Sequence, residues 1–173
     1  MQAYAYRFVQ NFDVSTESED IQLRKLFTFK SPRTKQTYYV WVDKCVYNIY
    51  VIKFHLKSHR HSKYKYNLLT NLGEARSVLY TCITILDEEF HKKDNTASFG
   101  FVASNLKEEG YANTKRLRFY EKFITTFIGL SEFEHYKYIE QSAYLLVSKK
   151  SIEGIHNLIT QVEKMFQRYT FID

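Results

Sequence analysis

The stretch from Ser98 to Gly129 constrains the fold of this chain most, because it places an apolar segment, a polar loop and a helix in close succession. Segment 98–104, SFGFVAS, is a compact apolar run that polar residues end, which is typical of a central strand. Gly110 breaks the loop that follows, and Asn113 or Thr114 can cap a helix that runs to about the end of the stretch. The stretch therefore predicts a central strand followed closely by a capped helix.

The start of that predicted helix is strongly basic. Lys115, Arg116 and Arg118 lie there, with Tyr120 one turn further on. A helix N-terminus already favours negative charge, so these cations raise the energy of the helix unless an anion or a carboxylate lies beside them. The four residues are a candidate anion-binding site, and a solvated basic face is the alternative. We expect Arg116 to turn inward or along the sheet to a carboxylate or bound anion, while Lys115, Arg118 and Lys122 stay in solvent.

A second basic segment lies in the first half of the chain. Five cations occur between positions 53 and 65 with no acidic residue among them, and Tyr64 and Tyr66 are interleaved with them. Clustered cations beside exposed rings are what a phosphate backbone and unstacked bases bind. A solvated loop that leaves a strand is the alternative. The candidate nucleic-acid-binding residues are Lys53, Lys57, Arg60, Lys63, Tyr64 and Lys65.

Motifs for catalysis, cofactor binding and metal binding are absent from the sequence. It contains no P-loop, no GxGxxG, no HExxH and no nucleophile elbow, so we predict no catalytic residue and no cofactor. His55, His59 and His61 follow a strand and have no fixed common face, and no cysteine or acidic ligand adjoins them. We therefore predict no metal site either.

Composition indicates one well-ordered domain with an anionic partner. The 173 residues include only 5 glycines and 1 proline, which argues against disorder. The net charge of +6 favours nucleic acid, a nucleotide or an acidic protein as partner. Cys45 and Cys82 form no disulfide framework, and no apolar run resembles a signal core or a membrane span. We expect a single cytoplasmic domain over residues 1–173, with no membrane partner.

Hydrophobic periodicity predicts an α+β fold, in which a mixed, mainly antiparallel sheet of about six strands packs with three helices. Residues 71–74, NLGE, fit a capping box that opens a helix to about Lys93, and Ser151 can cap a third helix. The dipeptide Asp43-Lys44 fits a hairpin turn. The predicted strands are 4–9, 23–30, 36–42, 46–57, 99–102 and 138–147.

The predicted order of strand meander, helix, strand, helix and strand resembles the later part of the acetyl-CoA-dependent N-acetyltransferase fold. The segment NTKRLRFYEKF is similar to the last conserved helix of that family, with Asn113 and Tyr120 at the matching positions. The resemblance implies an acetyltransferase-like topology and a general-acid role for Tyr120. The pyrophosphate-binding loop of the family, Q/R-x-x-G-x-G/A, should fall within residues 66–73, and it is not there.

A wider resemblance is to a group of small bacterial proteins with no established activity. It is carried by four segments of this chain, which are Tyr50–Lys57, Lys65–Asn71, Ser98–Ser104 and Asn113–Tyr120. Our first functional hypothesis is a non-catalytic binding domain for an anionic partner, a nucleic acid or a nucleotide. The second is a divergent acetyl-CoA-dependent acyltransferase. The third, suggested by this resemblance alone, is a protein-interaction component of a bacterial defence or toxin–antitoxin system.

Overall fold

A mixed β-sheet with three α-helices forms the fold in the computed structural model, which describes residues 1–14, 16–66, 72–105 and 109–169. A short 3₁₀ turn at Val46–Asn48 connects the third and fourth strands, and a π-helical turn at Asp87–His91 extends the first helix. The strands are β1 (Tyr6–Phe12), β2 (Ile21–Lys30), β3 (Thr37–Cys45), β4 (Ile49–Leu56), β5 (Ser98–Val102), β6 (Phe133–Tyr138) and β7 (Ala143–Ser148). The helices are α1 (Ala75–Leu86), α2 (Lys115–Phe127) and α3 (Ile155–Tyr169).

The order of strands in the sheet is β1-β2-β3-β4-β5-β7-β6. Every neighbouring pair is antiparallel except β4 and β5, which run parallel from the pair Ile49–Ser98 to the pair Ile52–Phe101. Beyond that pair β4 continues against β3 as far as Leu56, while β5 ends at Val102. The sheet is therefore interrupted between the carboxyl ends of its two parallel strands.

Each face of the sheet packs against its own helices. Helices α1 and α2 cover one face, where Cys82, Ile85 and Leu117 join a core of aromatic and β-branched strand residues. Helix α3 covers part of the other face through Leu158, Val162, Met165 and Phe166. Burial of these apolar stripes supplies the main driving force for the layered arrangement.

The predicted fold class is confirmed, and the number of strands is seven, whereas about six were predicted. The difference arises at residues 138–147, which were predicted as one strand and include the end of β6, a turn at 139–142 and most of β7. The turn includes Ser142, whose φ is 45°, and the buried Ser142 hydroxyl donates to the carbonyl of Tyr111 at 2.6 Å. Strand β6, FEHYKY, mixes aromatic and charged residues and was missed apart from Tyr138.

The hairpin turn predicted at Asp43-Lys44 is wrong. Strand β3 continues through both residues to Cys45, and the chain reverses at Val46–Asn48. Tyr47 and Asn48 have φ values of 60° and 57°, which are typical of a tight reversal. Asp43 stays in the sheet because Arg24 on the neighbouring strand pairs with its carboxylate.

The helix boundaries agree with prediction for α2 and differ for the other two. Thr114 caps α2 by accepting a hydrogen bond from the amide of Leu117 at 3.2 Å. Asn71 of the predicted capping box lies outside the described residues, and the Glu74 side chain makes no cap hydrogen bond to α1. Helix α3 begins at Ile155, after Gly154 with a φ of 70°, so Ser151 is not its cap. Among the described residues, none of the helices combines the length and apolar character needed to cross a lipid bilayer.

Candidate functional site

A cavity of about 320 Å³ opens where β4 and β5 part. Its walls come from the ends of both strands, from the starts of α1 and α2, and from the segment that follows β4. Apolar and aromatic side chains form much of the surface, among them Ile52, Leu56, Val78, Leu79, Phe101 and Phe119. The interruption of the sheet thus becomes a concave site with an apolar interior.

Basic side chains from two distant segments meet at this cavity. Lys53 and Lys65 come from the basic segment 53–65, and Lys115 and Arg116 come from the basic start of α2. His55 and His59 also line it. Among the described residues that line the cavity, none carries a carboxylate. The charged side chains in the described lining are therefore all basic, which favours an anionic ligand.

Arg116 forms hydrogen bonds to the segments that follow β4 and β5. Its side chain is half-buried, and its guanidinium donates to the carbonyl of Tyr66 and, at 3.5 Å, to the carbonyl of Ser104. Arg116 therefore turns inward as expected, and the acceptors described are backbone oxygens, whereas a carboxylate or anion was expected. Lys115, Arg118 and Lys122 are exposed, as expected.

The N-terminus of α2 already holds a carboxylate of the chain itself. The amide of Lys115 donates to Glu109 Oε1 at 2.6 Å, so Glu109 occupies the position that the predicted anion would take. Arg118 reaches back and donates to the carbonyl of Asn113 at 2.5 Å. Of the four candidate anion-binding residues, Lys115, Arg116 and Tyr120 therefore line the cavity and Arg118 does not.

Tyr120 presents a neutral phenol to the cavity. Burial raises its pKa to about 12, although the nearby positive charge of Arg116 opposes the rise. The hydroxyl therefore stays protonated at neutral pH and can donate a hydrogen bond.

Lys53 belongs to a buried ionic cluster that sequence patterns did not indicate. Arg24 binds Asp43 with two hydrogen bonds, from Nε to Oδ1 at 2.6 Å and from Nη2 to Oδ2 at 3.2 Å. Lys53 Nζ lies 3.5 Å from Asp43 Oδ2. Burial lowers the pKa of Lys53, and the Asp43 carboxylate opposes that change. Arg24 Nη1 also pairs with Glu17 Oε2 at 3.1 Å, so the two cations of the cluster are matched by two carboxylates, and the cluster holds Lys53 at the cavity wall.

The ring of His55 is fully engaged in structural contacts. Its Nδ1 lies 2.8 Å from the carbonyl of Leu56, and its Nε2 lies 3.2 Å from Trp41 Nε1. The tautomer that satisfies both contacts donates from Nδ1 and accepts at Nε2, so it is the neutral imidazole. Burial lowers the pKa of His55, which also favours that form.

The other residues of the predicted nucleic-acid-binding segment lie outside the cavity wall. Lys57, Arg60, Lys63 and Tyr64 are exposed. Lys57 Nζ lies 5.9 Å from the ring centroid of Tyr39, and Lys63 Nζ lies 4.9 Å from that of Tyr64. The structure therefore divides this segment into cavity-lining and surface cations.

No three histidine, cysteine, aspartate or glutamate side chains come together as a metal site within residues 1–14, 16–66, 72–105 and 109–169. His55 is buried, His59 lines the cavity and His61 is exposed. Cys45 and Cys82 are both buried free thiols, and burial raises the pKa of each. Buried, protonated thiols are poor nucleophiles.

The comparisons with known proteins add no family to this description. No protein-family model, curated protein or solved structure matches the chain.

Proposed function

We propose that this protein is a non-catalytic binding domain for a small phosphate-bearing ligand, a nucleotide, which enters the cavity between β4 and β5. The observation that carries the proposal is the convergence of Lys53, Lys65, Lys115 and Arg116 on one cavity whose described lining has no carboxylate. Cations held this close repel one another, and an anion relieves that repulsion. A volume of about 320 Å³ lies at the lower end of small-molecule sites, which supports a nucleotide rather than a polymer segment inside the cavity.

The remaining lining supports a ligand with a flat or apolar part. Tyr66, Phe119 and Tyr120 contribute aromatic surface beside the cations. A base can stack on such rings while its phosphates pair with lysine or arginine. This division between apolar body and charged head is what distinguishes a nucleotide from a simple inorganic anion.

The chemistry of the lining favours binding over catalysis. The imidazole of His55 already uses both nitrogens in the fold. Lys53 is held by Asp43, and the phenol of Tyr120 has a raised pKa. A general base needs an accessible lone pair with a pKa near the working pH, and none of these three groups offers one.

Thermal denaturation with AMP, ADP and ATP tests the proposal. A ligand that binds only the native state stabilises it by about 2.7 kcal/mol at a concentration one hundred times Kd. For a chain of this size, that corresponds to an increase in Tm of roughly 5–10 °C. We expect at least one of the three nucleotides to produce such an increase at low salt.

Two matched pairs of variants test whether the nucleotide binds in the cavity. Lys65→Ala and Lys115→Ala remove cavity-lining cations, whereas Lys63→Ala and Arg118→Ala remove cations nearby in sequence that are absent from the lining. We expect the first two to weaken nucleotide affinity by about tenfold, which corresponds to one charge-assisted hydrogen bond. The second two should bind like the parent. The proposal fails if millimolar nucleotide leaves Tm unchanged, or if both pairs lose affinity equally.

A divergent acetyl-CoA-dependent acyltransferase is the second candidate. The parting of two parallel strands at the cavity and the presence of the protonated Tyr120 hydroxyl favour it. Coenzyme A also contains a nucleotide, so the cationic lining suits either ligand. We expect acetyl-CoA to raise Tm more than ADP does only if this candidate holds. In that case Tyr120→Phe should lower turnover and leave the thermal shift intact, as a lost general acid would.

A further inference from the structure

Five rings form a continuous series across the sheet, and we call this series the aromatic ribbon. Its members are Phe12, Trp41, Tyr39, His55 and Tyr66. Successive ring centroids lie 5.3, 6.5, 5.8 and 5.3 Å apart. The indole Nε1 of Trp41 also donates to His55 Nε2 at 3.2 Å, which fixes the middle of the series.

The aromatic ribbon lies on the sheet face opposite α1 and α2. In β3 the buried residues Val40 and Val42 point toward those helices, and side chains alternate along a strand. Tyr39 and Trp41 therefore point to the other face. Both rings are only partly buried, as are Phe12 and Tyr66, whereas His55 is buried between Tyr39 and Tyr66. Solvent therefore reaches four of the five rings, and a row of partly exposed rings beside lysines offers a surface to a partner.

Lysines accompany the aromatic ribbon and become denser toward the cavity. Lys57 Nζ lies 5.9 Å from the centroid of Tyr39. Lys53 and Lys65 lie 5.4 Å and 5.2 Å from the centroid of Tyr66, measured from the Nζ atom of each lysine. Tyr66 and both of these lysines also line the cavity. The ribbon and the cavity thus form one continuous site with Tyr66 and two lysines at their junction.

We propose that the aromatic ribbon binds a single-stranded nucleic acid whose terminal nucleotide occupies the cavity. The proposal rests on the proposed function, since the cavity must accept a nucleotide. The partly exposed rings of Phe12, Tyr39, Trp41 and Tyr66 can stack on unpaired bases without regard to sequence, and the flanking ammonium groups meet the phosphates. A duplex cannot bind in the same way, because its bases are paired and stacked among themselves. An acidic protein would use the cations but would gain little from a row of rings.

Trp41 makes the experiment direct, because it is the single tryptophan of the chain. Its fluorescence reports binding in the half of the aromatic ribbon that is farther from the cavity, next to Tyr39. We would titrate the protein with dTMP, with an oligothymidylate of about ten nucleotides and with a duplex of the same length at low salt. We expect the oligothymidylate to quench Trp41 and to bind at least tenfold more tightly than dTMP, and the duplex to leave the emission unchanged.

Variants of the aromatic ribbon should distinguish oligonucleotide binding on the ribbon from nucleotide binding in the cavity. Tyr39→Ala removes a stacking ring and should weaken oligothymidylate affinity by about tenfold or more. Lys57→Ala, at an exposed position that leaves folding intact, should lower the log–log salt slope by about one. The thermal shift caused by a mononucleotide should be unchanged in both. Tyr111→Ala and Lys164→Ala alter exposed residues outside the ribbon and should bind oligothymidylate like the parent.

Several outcomes would overturn the inference. Equal affinity for dTMP and oligothymidylate, with Trp41 emission unaffected by either, would show that the aromatic ribbon takes no part in binding. The proposal that the cavity binds a nucleotide would not be affected by that result. Failure of every nucleotide and oligonucleotide to bind removes both proposals. Binding of polyglutamate as tightly as oligothymidylate, with no sensitivity to Tyr39→Ala, would show that charge alone attracts the partner and that the ribbon recognises no base.

Discussion

Two buried carboxylates each bind a residue that lines the cavity, and the fold stabilises them by different means. Asp43 and Glu74 are 0% and 4% exposed. Asp43 is held by charge, from Arg24 and Lys53. Glu74 is held mainly by neutral hydroxyl groups, which are those of Ser31 at 2.6 Å, Thr34 at 2.9 Å, Tyr38 at 2.9 Å and Tyr4 at 3.3 Å.

The difference between charged and neutral partners bears on residues of the cavity lining. Lys53, a partner of Asp43, and Tyr38, a partner of Glu74, both line the cavity. Loss of the Asp43 charge removes the buried carboxylate that Arg24 and Lys53 share, and Arg24 keeps its pair with the half-exposed Glu17. Loss of the Glu74 charge leaves mainly neutral donors. We therefore expect the first carboxylate to matter more for stability than the second, although Glu74 makes more hydrogen bonds.

Asp43→Asn should destabilise the fold more than any other substitution around these two carboxylates. Breaking a buried ion pair by removing one partner typically costs about 3–5 kcal/mol, because the remaining charge stays uncompensated. We expect a loss of that size in the free energy of unfolding measured with urea. Glu121→Gln breaks a surface pair with Lys137 and serves as the control, at about 0–1 kcal/mol. A loss below about 1 kcal/mol for Asp43→Asn would mean that solvent reaches Arg24 and Lys53.

Glu74→Gln should cost less, about 1–3 kcal/mol. The amide keeps the shape of the carboxylate and one acceptor oxygen, but its NH₂ group faces hydroxyl donors that lose their acceptor. Urea unfolding compared directly with Asp43→Asn tests the ranking. If Glu74→Gln proved the more damaging substitution, the number of hydrogen bonds would outweigh the charge of the partners.

Comparison of the parent with Glu74→Gln should also reveal how the stability contributed by Glu74 depends on pH. Burial raises the pKa of Glu74, but hydrogen bonds from Ser31, Thr34 and Tyr38 outweigh that effect and hold the pKa below its ordinary value of 4.5. A lowered carboxyl pKa contributes stability that is fully present above the unfolded-state pKa and is lost as pH falls through the folded-state pKa. The difference in Tm between the parent and Glu74→Gln should therefore be constant near neutrality and shrink below about pH 4.5. A difference that stays constant down to about pH 3 would contradict this assignment.

The smallest effects should come from single hydroxyl groups around Glu74. Tyr38→Phe removes a buried bond of 2.9 Å and should cost about 1–1.5 kcal/mol. Tyr4→Phe removes a longer, half-buried bond of 3.3 Å and should cost about 0.5 kcal/mol or less. Denaturant titrations of both variants resolve the order. Equal losses would indicate that the carboxylate binds all of its donors as one unit.

Local patterns predicted the elements of this fold more successfully than its site. The strand at 99–102 and the Thr114 cap of α2 were predictable because apolar spacing and capping act between near neighbours in sequence. Asp43 was predicted in a turn because Asp-Lys after a β-rich run is typical of one. Its burial depends on Arg24, 19 residues away on a strand that only the sheet brings beside it.

Local patterns could not predict that the two basic segments converge, for a similar reason. Lys65 and Lys115 are 50 residues apart, and each segment alone fits a solvated loop or helix face. They meet because β4 and β5 pair in parallel and then part, which is a property of register rather than of composition. Tyr39 and Trp41 were assigned to a strand, and their role in the aromatic ribbon depends on the strands beside them.

Gly100 lies on β5 next to the point where the strands part, and a Cβ atom there would lie 2.8 Å from the Phe166 ring and 3.2 Å from Val51. The ring of Phe166 on α3 thus packs directly against the backbone of Gly100, with no β5 side chain between them. The parallel pair beside the cavity is supported from the opposite face of the sheet, by a residue outside the cavity lining. A ligand then finds a preorganised wall, and little conformational entropy is lost there on binding.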